Sequence, residues 1–251
     1  MSDDTADPER LREAFQESTG HWRPAYDDWL ALDRDGFALF AAFAAHPWEG
    51  DALTEREKAL VQVALDAAVT SRNEAGLRTA VGHALDAGAT VGEVREVLEL
   101  TCGLGMHTVI EALPAVRDAT DDADHEPDVE EQRRVRERFE EKRGYWSPFW
   151  DSVLDADHEY LDRYTDLSAH PWETGTLDPK LREFVYVAID ASTTHLYAPG
   201  LSAHVENAVD YGATGAELVE LLELVSLQGY DAMATGMPVL REEANRRDLL
   251  E

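Results

Sequence analysis

A shift of 124 residues lays the second half of this 251-residue chain on the first with no insertion between them. Phe15 falls on Phe139, and Gly20-His21-Trp22-Arg23-Pro24 falls on Gly144-Tyr145-Trp146-Ser147-Pro148. The same shift carries His46-Pro47-Trp48-Glu49 onto His170-Pro171-Trp172-Glu173, Gly88-Ala89-Thr90 onto Gly212-Ala213-Thr214, and Pro114 onto Pro238. About a third of the positions from 15 to 118 are identical to their partners, and chance does not hold one register that long. The chain therefore reads as a tandem duplication, with copies at 1–118 and 129–251 and an acidic, proline-containing linker at 119–128.

Periodicity within each copy is helical. Phe184, Val185, Val187, Ala188, Ile189 and Ala191 form a run too long and too alanine-rich for a strand, which predicts a buried helix from about Pro179 to Thr194. Leu201, Val205 and Ala208 recur at helical steps and stop at Gly212, a residue suited to a left-handed C-terminal cap. Thr214-x-x-Glu217 and Thr90-x-x-Glu93 have the form of capping boxes, and Leu218, Leu221, Leu222 and Val225 make the stripe that follows the former. Upstream, the tryptophan-rich third of each copy predicts one or two amphipathic helices ahead of a His-Pro-Trp-Glu loop, whose proline would fix a turn. No segment reads as a sheet. Two similar all-α domains related by a pseudo-twofold axis follow, each short of a complete core without its neighbour.

A hydrophobic fraction of 44% supplies that core, while 52 acidic against 22 basic residues give a formal charge of -30. That field excludes nucleic acid and an anionic membrane as electrostatic partners. Lysines number only three, Lys58, Lys142 and Lys180, a balance that suits a salt-rich cytoplasm, where a Debye length of about 3 Å at molar salt cancels self-repulsion. A halophilic host is expected. The single cysteine, Cys102, makes no internal disulfide, structural zinc knot or dithiol centre. Because the start Met1-Ser2-Asp3-Asp4 lacks an apolar signal core and no apolar run reaches the roughly 18 residues of a membrane span, a cytoplasmic location is expected.

Leu177 through Pro238, with His204-Val205-Glu206-Asn207-Ala208-Val209-Asp210-Tyr211-Gly212-Ala213-Thr214 at its centre, resembles the carboxymuconolactone decarboxylase and alkylhydroperoxidase D-like family. About 60 residues of each copy share the likeness. The resemblance implies an all-helical fold, assembly into trimers or hexamers, and either lactone-acid decarboxylation or thiol peroxidase chemistry. The peroxidase branch carries a Cys-x-x-Cys pair eleven residues after a glutamate; here Glu183 is followed at that spacing by His195, and Ala198 stands where the second cysteine would. Both thiols are absent, so the dithiol reaction, which needs an attacking and a resolving sulfur, is not expected. The decarboxylase branch needs an acid to protonate a developing carbanion, and a histidine suits that role.

The copies differ where the family keeps its chemistry. Glu183, His195 and His204 of the second copy stand against Ala59, Ser71 and Ala80 of the first, whereas His107 of the first stands against Asp231 of the second. One site per chain is expected, on the second copy, with His204, Glu183 and His195 catalytic and Tyr197, His107 and Asp231 binding substrate. His107 is expected to enter from the first copy, making the site composite. Asp66 and Asp190, inside apolar helices of both copies, read as a structural pair. The nine-residue step between His195 and His204 puts them on different elements, so no metal and no cofactor is expected. The expected function is a thiol-free, cofactor-free lyase acting on a small lactone or carboxylic acid; the alternatives are a non-catalytic helical binding module and a peroxidase. The partners expected are a small-molecule substrate and further copies of the chain, three of which would reproduce a six-domain ring.

Overall fold

The computed structural model describes residues 7–71, 73–120 and 128–250, and among them it contains helices and turns but no strand. The first half runs α1 (Pro8–Thr19), α2 (Ala25–Leu32), α3 (Arg34–Glu49), α4 (Glu55–Ala67), α5 (Glu74–Asp86), α6 (Val91–Thr101) and α7 (Leu104–Ala119). The second runs α8 (Val129–Arg143), α9 (Phe149–Ala156), α10 (His158–Thr174), α11 (Pro179–Ala191), α12 (Ala198–Asp210), α13 (Gly215–Ser226), a 3-10 turn (Leu227–Tyr230) and α14 (Asp231–Asn245). Moved by 124 residues, the bounds of α2, α4 and α5 coincide with those of α9, α11 and α12.

Local chemistry explains the boundaries. Thr90 and Thr214 close reciprocal capping boxes with Glu93 and Glu217, and Asp178 accepts from the Lys180 N–H ahead of α11. Gly88 and Gly212 take φ of 91° and 90°, where a side chain would be strained. The His-Pro-Trp-Glu segments are not loops. They form the ends of α3 and α10, with Pro47 and Pro171 inside the helix; each proline gives up one backbone hydrogen bond in the last turn, and the helix stops soon after it. The upstream third of each half accordingly holds three helices instead of one or two.

Packing exchanges helices between the halves. α4, α6, α11 and α13 meet in the central core, which buries Leu60, Leu65, Val97, Phe184, Ile189 and Leu221. To one side, the α1–α3 cluster of Phe15, Trp29, Phe37 and Phe40 is closed by Met233 and Met237 of α14. On the other, Val135, Phe139, Trp150 and Leu161 of α8–α10 are closed by Met106 and Ile110 of α7. Each half thus borrows its last helix from the other.

The polar contacts are reciprocal as well. Glu96 takes the N–H groups of Thr176 and Leu177 at 2.7 and 3.0 Å and the Arg182 guanidinium at 2.6 Å. Its counterpart Glu220 takes the N–H groups of Ala52 and Leu53 at 3.1 and 3.0 Å and the Lys58 ammonium at 2.8 Å. Contacts of residue i with j repeated as j with i are the mark of a twofold relation. The linker expected at 119–128 lies outside the described residues from 121 to 127, as does the Met1–Asp4 start.

Candidate active site

α11 is apolar on every side and buried from Leu181 to Asp190. A helix so enclosed fixes its few polar side chains firmly. Glu183 is one of them, and it accepts a hydrogen bond from His204 Nδ1 of α12 at 2.6 Å. This contact sets the tautomer of the neutral ring: Nδ1 carries the hydrogen, and among the described residues Nε2 has no hydrogen-bond partner. The His204 ring also stacks on Tyr186 of α11 at 4.4 Å between centroids, so it is held by both an edge and a face. His204 lines a pocket whose wall includes His107, Tyr164, Tyr186 and Tyr197.

His107 arrives on α7, the helix lent by the first half. Its Nδ1 lies 2.7 Å from His195 Nε2 and 3.7 Å from Asp190 Oδ1, and its ring stacks on Tyr197 at 4.0 Å. His195 and Tyr197 belong to the α11–α12 loop, which turns through Leu196 at φ 49° before the Tyr197 N–H returns to the Asp190 carbonyl at 2.8 Å. A left-handed leucine is strained backbone, held here by the packing on both sides. Gly200 is required by the same crowding, since a Cβ there would collide with Asp190 Oδ2 and the Tyr197 ring.

Electrostatics follow from enclosure. Burial pushes the Asp190 carboxyl up to about 7, a rise opposed by His204 and reinforced by Glu183. Burial likewise lowers His107 to about 4, helped by His195 and His204, and lowers His195. Tyr197 is raised to about 12 by burial and by Glu111 and Asp190. Neither oxygen of Asp190 and not the Tyr197 hydroxyl has a hydrogen-bond partner.

Arg143, the last residue of α8, also lines the pocket and went unnoticed in the sequence. Its guanidinium donates to the Ser168 carbonyl at 3.2 Å and packs over Trp172 and Tyr145, yet among the described residues no carboxylate pairs with it. In a chain with 52 acidic residues, a half-buried arginine without a paired acid keeps its charge available to an anionic group. A signal existed: its counterpart in the first copy is Thr19.

At the corresponding place in the first half the buried acid is paired instead. Arg23 reaches Asp66 at 3.0 Å and Asp231 at 2.5 Å, while Gln62 and Asn73 donate to Asp66 at 3.0 and 2.8 Å. Asp231, expected to share a site with His107, belongs to this network instead. The helix exchange that brings α7 to the second half takes α14 to the first. Glu183, His195, His204, Tyr197 and His107 are brought together; Asp231 is not. Cys102 is exposed and lines a neighbouring groove with Leu167 and His170, which shares Gly103, Tyr164 and Tyr186 with the His204 pocket.

Comparison with known proteins identifies the family and the fold. The family model of the carboxymuconolactone decarboxylase family matches residues 158–242, the stretch that carries Glu183, His195 and His204. Among solved structures, the chain is similar to a Burkholderia xenovorans protein provisionally assigned as a gamma-carboxymuconolactone decarboxylase subunit. The TM-score is 0.91 and the identity 37%, over 96% of this chain and 98% of that one. No curated protein matches the sequence.

Proposed function

The chain belongs to the carboxymuconolactone decarboxylase family, and from that premise we propose that it is a thiol-free lyase that decarboxylates a small unsaturated lactone acid. One observation carries the reading: His204, bonded to Glu183 at 2.6 Å, lines a pocket that Arg143 also lines, and the first half has Ala59 and Ala80 where the pair would be.

The chemistry uses these groups directly. Arg143 holds a carboxylate of the substrate that is not lost, and the apolar wall of Phe149, Ile110 and Ile189 strips water from the one that is. The bond from carbon to the departing carboxylate breaks, carbon dioxide leaves, and the electron pair passes into the conjugated system as far as the lactone carbonyl oxygen. His204 takes up a proton on Nε2 for the reaction and delivers it to carbon. Glu183, bonded to Nδ1, balances the imidazolium and keeps the ring aimed. Tyr197 is placed to donate to a substrate oxygen, its hydroxyl having no other partner. No cysteine enters any step.

The assembly proposed for the chain is a trimer. Phe43 and Leu167 are exposed at equivalent points of α3 and α10, as are Leu98 and Leu222 on α6 and α13, a symmetric set of apolar faces for neighbouring chains.

The test is a thermal-shift screen in molar KCl of wild type, His204→Ala and Arg143→Gln against unsaturated lactone acids and their saturated, uncharged analogues. A ligand at 100 times its Kd adds about 2.7 kcal/mol, or roughly 5 to 10 °C for a chain of this size. Stabilisation of wild type by acids alone, lost in Arg143→Gln, supports the reading. Equal shifts with uncharged lactones, or none with any acid, count against it.

A further inference from the structure

We infer that a divalent transition-metal ion sits on His107, Asp190 and His195, beside the pocket that His107 lines. One ligand atom from each lies within 4.8 Å of the other two. The measured separations, 2.7 Å between the imidazole nitrogens and 3.7 Å from His107 Nδ1 to Asp190 Oδ1, bracket the roughly 3.0 to 3.4 Å that ligand atoms keep around a cation bonded at about 2.1 Å. A small opening of the His195 loop completes the fit.

Asp190 supplies a second, independent reason. Its side chain is 1% exposed, and neither oxygen has a hydrogen-bond donor. A buried carboxylate left this way is costly unless it takes up a proton or a cation sits against it, and two imidazole nitrogens face it where the cation would bind.

The other half shows what such a cation looks like. Its counterpart, Asp66, is met by the Arg23 guanidinium, which also bridges to Asp231, the counterpart of His107. The second half has Ser147 in place of Arg23, histidine in place of Asp231 and His195 in place of Ser71. The fixed cation is gone, and two neutral nitrogen ligands have appeared around the same acid. That exchange suits a diffusible metal.

Two imidazoles and one carboxylate favour zinc or iron(II) and leave further coordination positions open. His107 is oriented by its stack on Tyr197, and Asp190 by burial in α11. The histidine spacing alone argued against a metal because it paired His195 with His204; the third ligand comes instead from α7, 88 residues upstream of His195.

The inference stands apart from the proposed decarboxylation, because its readout is metal uptake. Chelator-treated full-length protein is titrated with Zn2+ and, for visible spectra, with Co2+, in molar KCl so that surface carboxylates are screened. The expected result is one ion per chain, with Asp190→Asn and His195→Ala each weakening binding about a hundredfold at unchanged helicity, and a Co2+ ligand-field band that both variants lose. Should Asp190→Asn fail to fold, His195→Ala, on a partly exposed loop, decides alone. Wild type that does not saturate by roughly 0.1 mM free zinc, or His195→Ala that binds as tightly as wild type, overturns the inference.

Discussion

Asp66 and Asp190 occupy the same position on α4 and α11, yet Arg23 lies 3.0 Å from Asp66 while no hydrogen-bond donor reaches Asp190. The pair marks where the two halves differ. In the first, the buried acid is locked into a network of Arg23, Gln62 and Asn73. The second keeps the acid and surrounds it with histidines and tyrosines that face a pocket.

Glu96 joins the halves, and removing it leaves Arg182 buried with its partner gone. Glu96→Ala is expected to cost about 3 to 5 kcal/mol, a fall in Tm on the order of 10 °C. Calorimetry in molar KCl measures this; a loss below about 1 kcal/mol would mean that the pair contributes no more than a surface ion pair.

His21 gives acid sensitivity a definite window. Burial, only partly offset by its hydrogen bond to the Thr19 carbonyl, lowers it from 6.5 to about 3. Above pH 6.5 the folded and unfolded states are both neutral at this residue. Between 6.5 and 3 the unfolded chain binds a proton that the folded chain refuses, so stability falls with pH by up to about 1.4 kcal/mol per unit. Denaturant melts of wild type and His21→Phe across this range should show the slope reduced in the variant. Parallel pH profiles would assign the acid sensitivity to other groups.

A formal charge of -30 sets the response to salt. Screening is expected to raise Tm steadily from 0.1 M to molar KCl, as the Debye length shortens from about 10 to 3 Å. A Tm independent of salt would remove the halophilic interpretation of the composition.

Light scattering addresses the proposed ring. Three chains of 28.0 kDa should elute together in molar KCl, and Leu167→Glu with Leu222→Glu should yield monomers. A monomeric wild type rules the trimer out.

The all-α fold was legible because duplication, capping boxes and helical apolar stripes agree with one another. Thr214, Glu217 and Gly212 act locally, and each stands in the role its neighbours in sequence suggest. The exchange of α7 and α14 was not legible in detail, since it depends on which apolar face meets which; hence Asp231 was grouped with the wrong half. The His-Pro-Trp-Glu segments misled because proline marks a turn more often than the end of a helix. Arg143 was overlooked since it lies in α8, ahead of the residues that resemble the family, and an arginine there reads as solvated. Asp190 was read as structural by its identity with Asp66; what separates them is the residue at 23 and 147, far along the chain from both.

The central claim rests on His204 as the proton donor. Carbon dioxide release from an unsaturated lactone acid, chosen as one that stabilises the wild type, should show kcat lowered about 10²- to 10⁴-fold in His204→Ala. The same variant should keep the ligand-induced rise in Tm, because Arg143 is intact, and Glu183→Gln should fall between it and wild type. His204→Ala releasing carbon dioxide at the wild-type rate would contradict the account.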